Sequence, residues 1–406
     1  MRTINSIHPM PTAPQTPGYF KLIEGGEPFR LLFPLGTAMG VIGVMLWPAH
    51  VWGSAPYPLL AHAGIMIQCF LGSFVMGFLG TALPRLLDVS KIRLRASLSF
   101  ASGILLVAGL HLTSHYLLAD IAFLLLLLTF VGTLLIRARQ RKDVPPPGFV
   151  LVLMGMTCAL IGVGLQIITQ TWSNILPAPC FILGKRLLQQ GFLLLPIMGI
   201  GAFLLPRFFG LPSRQNFPES LSPPPGWWPR AAFAAACGFA VIVSFFLEAW
   251  GFFRSAWLLR AAAILVYFYR EVPVHQAAFG RGSLAWSLRI ALAAIPLGYL
   301  AMALLPAHQM TLIHIVFITG FTLLTFTVAT RVVLGHSGQS DKFALPLKSI
   351  AIMAGLFVLA MATRVSADWM PELRMSHYAY AALAWTGAAL VWAIYILPGV
   401  RRAGTE

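Results

Sequence analysis

Twelve apolar runs decide what this chain can become. They cover roughly residues 31–47, 59–83, 96–116, 117–137, 149–170, 185–206, 230–251, 255–270, 284–305, 311–333, 346–365 and 377–397. A helix of about 20 apolar residues crosses the ~30 Å hydrocarbon core of a bilayer. With 58% hydrophobic and only 10% charged residues, a soluble globular fold is excluded and lipid is the solvent. The expected fold is an all-α integral membrane protein of about twelve transmembrane helices. Residues 96–137 are nearly continuous, and the chain is expected to turn near "HLTSHY" (111–116).

Residues 1–30 carry proline and charge without the basic start and apolar core of a secretory signal, so they read as a cytoplasmic N-terminal tail. Residues 31–397 form the transmembrane domain and 398–406 a cytoplasmic C-terminal tail. Cys69, Cys158, Cys180 and Cys237 sit in or beside apolar runs without metal-ligand spacing, which argues against a disulfide scaffold or a zinc site.

The net charge of +16 would suggest nucleic acid in a soluble protein. Its distribution says otherwise. With the N-terminus inside, twenty-one of the 28 Lys and Arg residues fall on inner segments, among them Arg2, Arg30, Arg85, Arg207, Arg281 and Arg331. Outer segments keep Lys185, Arg186, Arg254, Arg364 and Arg374. This is the positive-inside asymmetry of a cytoplasmic-membrane protein with both ends inside, and no nucleic-acid partner follows from it.

The same topology puts His50, His62, His111, His115, His308, His314 and His377 at or near outer span ends, and His8, His275 and His336 inside. Neutral imidazole is a common metal and haem ligand. An unpaired ring within a span is costly, which draws attention to His62 and His314. Each also has a bland reading, a hydrogen bond to a neighbouring helix. Met66 and Cys69 follow His62 on one helical stripe, a soft surface for a metal or haem and equally a core filler. His111 and His115 stand four apart and would stack if the third helix continues that far, which suits copper or a haem edge.

Three helices end alike. The second closes with "GFLGTALPRLL" (77–87), the sixth with "GAFLLPRFFG" (201–210) and the tenth with "VATRVVLGHSG" (328–338). Arg85, Arg207 and Arg331 are 122 and 124 residues apart, one four-helix unit each. The bundle is therefore expected to comprise three four-helix arcs, with the second, sixth and tenth helices equivalent. After the tenth, Gly335 and Gly338 allow a tight turn, and His336 is expected to bond the exposed carbonyls of the helix end, with Arg331 also structural.

"AHAGIM" (61–66), "GFLGTALP" (77–84), "HIVFITGFTLLTFTVATRVVLGHSG" (314–338), "MATRV" (361–365) and "AWTGAALVWAIYILP" (384–398) together resemble the NnrS family of bacterial membrane proteins, associated with haem, copper and the response to nitric oxide. The likeness is clear over the second, tenth and final helices. It implies haem ligation by His62 and His314, an electron partner, and nitric oxide as substrate or signal. The chain departs from the family pattern at Gly64 and Ile65, where a histidine and a glutamate are expected, at Arg289, where another histidine is expected, and at "GAFLLP" (201–206). Those departures bear on copper, for which Met66, His111 and His115 are the remaining candidates. The layout is also similar to that of haem–copper oxidases, but the sixth span, opening "GKRLLQQGF" (184–192), has no histidine, which argues against an oxygen reductase.

Lys185, Arg186 and Arg254 are the expected outer partners of haem propionates. Glu248 is a buried carboxylate whose expected partner is Arg254 or Arg260, with Asp120 and Asp368 the other acidic groups of the outer half. Two readings compete with a haem protein. One is a secondary transporter, for which Pro196 is the best place for a broken helix. The other is an assembly protein with degenerate sites.

Overall fold

The computed structural model describes residues 17–172, 175–280 and 282–404. Arg2, His8 and Arg281, and the first part of the expected N-terminal tail, lie outside them. The described chain is helical and carries no strand.

Eleven helices are long and apolar enough to cross a bilayer: α1 (Phe29–Val51), α2 (Leu59–Leu86), α3 (Leu94–Leu112), α4 (Tyr116–Ala138), α5 (Phe149–Thr171), α6 (Ala178–Phe209), α7 (Trp227–Ala249), then, after α8 (Phe253–Glu271), α9 (Ser283–Leu304), α10 (Pro306–His336), α11 (Lys348–Trp369) and α12 (Pro371–Tyr395). Helix α8 falls short on composition because Arg254, Arg260, Arg270 and Glu271 lie on it. Geometry makes it a crossing all the same. Its 19 residues span about 28 Å. It runs antiparallel to α7, with Arg230 near the start of α7 bonded to Glu271 (3.0 Å) and Glu248 near its end bonded to Arg260 (2.6 Å). Parity agrees: Arg30, at the start of α1, donates to the carbonyls of Val400 (2.6 Å) and Arg402 (2.8 Å) beyond α12. Both ends of the bundle therefore share a face, which requires an even number of crossings.

Neither end is a plain tail. Tyr19–Glu24 forms a short helix whose Ile23 is fully buried, and Val400 is buried in the turn that follows α12. The α3–α4 turn falls at Thr113–His115, where Ser114 adopts a positive φ of 61°.

Successive helices pack antiparallel, and α12 returns to pack on α1 and α11, so the ring closes. Helices α2, α6 and α10 face one another at the centre, where they line a common cavity. Each contains one stretch of wider π-type winding, at Ile65–Leu71, Leu187–Gly191 and Ile315–Thr322. Such insertions are rare and concentrate at functional sites. The repeat expected from the arginines is thus also a repeat of backbone irregularity. Pro196 breaks nothing: Phe192–Leu204 continues through it, and its ring lies where a Cβ on Gly155 would otherwise sit. Glycine lets α5 and α6 touch backbone to backbone, as at Gly148 and Gly199, in the small-residue packing of membrane helices.

Candidate functional site

On the face opposite the bundle's two ends, the outer face of the expected topology, α1, α2, α10, α11 and α12 bring His62, His314 and Arg364 together. His62 is half-buried, and its Nδ1 lies 2.9 Å from the carbonyl oxygen of Gly43 on α1. His314, also half-buried, has Nδ1 3.0 Å from the carbonyl of Met310, one turn earlier on α10. A carbonyl can only accept, so both Nδ1 atoms carry the hydrogen and both Nε2 atoms present a lone pair. This is how ligating histidines are usually held, with one nitrogen tied to a carbonyl and the other left for the metal. Helices α2 and α10 are linked here through Arg364, which reaches Thr311 on α10 and Tyr378, and Tyr378 packs with His62 on Trp47.

Arg364 is held without a carboxylate bonded to it. Its Nη1 donates to Thr311 Oγ1 (3.2 Å) and its guanidinium lies 4.1 Å from the centre of the Tyr378 ring. Trp47 packs edge-on to both Tyr378 (4.9 Å) and His62 (5.8 Å), closing the circuit from arginine to histidine. Above it, His308 Nδ1 lies 3.3 Å from Asp368 and the ring stacks on Trp369. The site thus offers two lone pairs, one cation with no carboxylate bonded to it among the described residues, and an aromatic wall. Sequence reading counted Arg364 only as an outer charge. Its position inside the apolar run 346–365 was the signal that it serves a site.

The stripe expected below His62 does not hold. Met66 stays on the α1 side, against Gly43, whereas the Cys69 thiol turns to the carbonyl of Ile104 on α3 (3.7 Å). The π-type winding that begins at Ile65 rotates the face between them. His111 and His115 are not stacked either, because the turn at Ser114 separates them. His115 is exposed and bonds Thr113 (3.0 Å). His111 is buried, with Nε2 2.9 Å from Gln68 Oε1. Gln68 in turn donates to Asp120 (2.7 Å), which also accepts from Gln170 (2.8 Å). The imidazole fills the space beside Gly64, where any Cβ would collide with it. This relay lies on the opposite side of α2 from His62. Gln68 was missed by sequence reading, although it lies 17 residues before Arg85, as Gln190 and His314 lie 17 before Arg207 and Arg331.

Lys185, Arg186 and Arg254 belong elsewhere. Arg186 donates to Glu248 (2.7 Å), Lys185 packs over Phe181 (4.4 Å), and Arg254 is exposed. Glu248 pairs with Arg260 and Arg186, not with Arg254. Arg260 is fully buried and also reaches Ser244 (2.9 Å) and Gln190 (2.7 Å), while Tyr299 donates to Gln190 (2.8 Å). Both Glu248 oxygens and all three Arg260 nitrogens are bonded, so the ion pair reads as structural, and Gln190 Nε2 is the atom of the cluster left without a partner among the described residues.

On the inner face the three repeat arginines find different anchors. Arg85 bonds Glu27 (2.6 Å), Arg207 lies over Phe203 (4.5 Å), and Arg331 lies between Phe208 (4.5 Å) and Phe343 (4.2 Å). His336 does not bond its own helix end. Its Nδ1 meets Glu27 (2.6 Å), and Arg30 of α1 supplies the donor to the His336 carbonyl (3.0 Å). Of the two glycines expected at the turn, only Gly338 has a positive φ (70°), while Gly335 remains within the helix. Arg289 donates to the carbonyl of Ala278 (2.8 Å) and lies 4.9 Å from the Phe209 ring.

Among the described residues no three or more His, Cys, Asp or Glu side chains converge as a metal-binding group. The outer histidine pair is therefore the arrangement with chemistry to offer. No curated protein matches the chain. A family model described as NnrS protein matches residues 26–403, from just before α1 to the turn beyond α12. The chain belongs to the NnrS family.

Proposed function

We propose that this chain is a membrane haem protein of the NnrS type, acting in the response to nitric oxide or protection from it through one haem held near the outer membrane face. The observation that carries the proposal is the pairing of two Nδ1-anchored imidazoles, His62 and His314, beside an arginine with no carboxylate bonded to it. Two neutral Nε2 donors on separate helices suit haem iron, and Arg364 suits a propionate. This replaces Lys185, Arg186 and Arg254 as propionate partners, because Arg186 is paired with Glu248, Lys185 packs over Phe181 and Arg254 is exposed. Membership of the NnrS family supports the same reading.

A haem held by His62 and His314 would supply one-electron chemistry and an iron able to bind nitric oxide. The carbonyls of Gly43 and Met310 orient the rings and fix their tautomers, while Trp47 packs on both His62 and Tyr378. An outward position suits an electron donor on that side of a bacterial cytoplasmic membrane. Copper is left out of the proposal: Met66 packs into α1, His111 is bonded within its relay, and His115 is exposed.

The test is a reduced-minus-oxidised spectrum with a pyridine haemochrome assay on protein purified from haem-replete cells. One low-spin haem per chain is expected, lost in His62→Ala and in His314→Ala. Arg364→Gln should keep the haem and lower its midpoint potential, since a cation beside the site favours the reduced form. A well-folded preparation without haem, or a spectrum indifferent to both histidines, overturns the proposal.

A further inference from the structure

The three repeat helices, with Phe33 of α1, line a partly open cavity of about 90 Å³ below the histidine pair. Its walls follow the repeat. Val75, Ile197 and Phe321 line it together, as do Phe78, Ile200 and Leu324. Each trio is separated by the same 122 and 124 residues as Arg85, Arg207 and Arg331. The cavity therefore lies on the axis about which the three arcs repeat, where equivalent positions of α2, α6 and α10 converge.

Thr325 contributes the only side-chain hydroxyl among its described lining residues. A water needs two to four polar partners, so a site with one hydroxyl stays dry. Size narrows the occupant further. Apolar cavities of about 150 Å³ take benzene or xenon, and one of about 90 Å³ has room for a single small molecule. The supply comes from the bilayer, where uncharged diatomic gases dissolve more readily than in water.

We infer that the axial cavity is a binding site for one small, uncharged, apolar gas molecule entering from the hydrocarbon phase. Leu71 and Phe321, both in its wall, are nine and seven residues below His62 and His314, about 10–14 Å along their helices. The cavity is thus placed to hold a gas within reach of the outer site. That last role rests on the haem reading, whereas occupancy of the cavity does not.

Xenon is the probe, applied to the full chain in lipid nanodiscs and read by ¹²⁹Xe chemical shift. A saturable shift is expected, abolished by filling the cavity with Ile200→Phe or Val75→Phe and kept in Leu105→Phe, whose side chain is exposed on α3. Diffraction from xenon-pressurised crystals of the unsubstituted protein should place a peak between Val75, Ile200 and Thr325, independently of how the variants fold. A shift that only rises linearly with pressure, a shift that survives both filling variants, or an acyl chain in the cavity overturns the inference. Loss of haem from the unsubstituted protein with xenon binding retained would overturn the haem reading and leave the cavity site standing.

Discussion

Glu27 accepts from Arg30, Arg85 and His336, joining the start of α1 to the inner ends of α2 and α10. Burial alone would raise its pKa, but the hydrogen bond and charge of His336, together with Arg30, outweigh burial and hold the carboxyl down at about 2 against an ordinary 4.5. A carboxylate depressed by folding stabilises the protein fully above its unfolded pKa and loses that contribution as pH falls through the folded value. Glu27→Gln should therefore cost about 1–3 kcal/mol near neutral pH, read as a lower melting temperature in detergent. The gap to the unsubstituted protein should close as the pH falls from 4.5 toward about 2. A gap that stays constant over that range would show that the charge is not what matters. His336→Ala should destabilise in the same way while leaving any haem spectrum intact, because the ring is on the face opposite His62.

At the scale of the helices, the spans were legible because crossing a bilayer needs an uninterrupted apolar length, and that length is written in one dimension. The turn at "HLTSHY" was legible too, but its consequence was not: Ser114 reverses the chain between His111 and His115 and sends the rings to different surroundings. The π-type segments were invisible, since winding is decided by packing against neighbours rather than by local propensity. They explain why Met66 follows His62 and Cys69 does not. Close approach was equally hidden. A Cβ on Gly199 would strike the carbonyl oxygen of Gly148, whereas one on Gly109 meets nothing within 4 Å. Gly199→Ala should destabilise by about 1–3 kcal/mol through overpacking, and Gly109→Ala should be neutral or better. Equal melting temperatures for the two variants would refute a tight α5–α6 contact.

For the whole molecule, the positive-inside count and the shared face of Arg30 and Val400 lead to the same parity. A green fluorescent protein fused after residue 404 should fluoresce in the cytoplasm, and alkaline phosphatase inserted between α7 and α8, at Gly251, should be active outside. Activity of the phosphatase joined between α8 and α9 would mean that α8 does not cross. The histidine pair was legible as one residue type near the ends of two equivalent apolar runs. Arg364 and Tyr378 were not, because their relation to His62 exists only once α12 has closed the ring onto α1.

The clasp between Arg30 and the carbonyls of Val400 and Arg402 joins residues 370 and 372 positions apart. Synthesis proceeds at about 5–20 residues per second, so roughly 20–75 s separate the emergence of this guanidinium from that of its last acceptors. Over that interval the Arg30 guanidinium is held by Glu27 without those two carbonyls. The first and last crossings can be locked together only after α12 has been made, which makes the clasp a late event whatever the order in which the other helices pack.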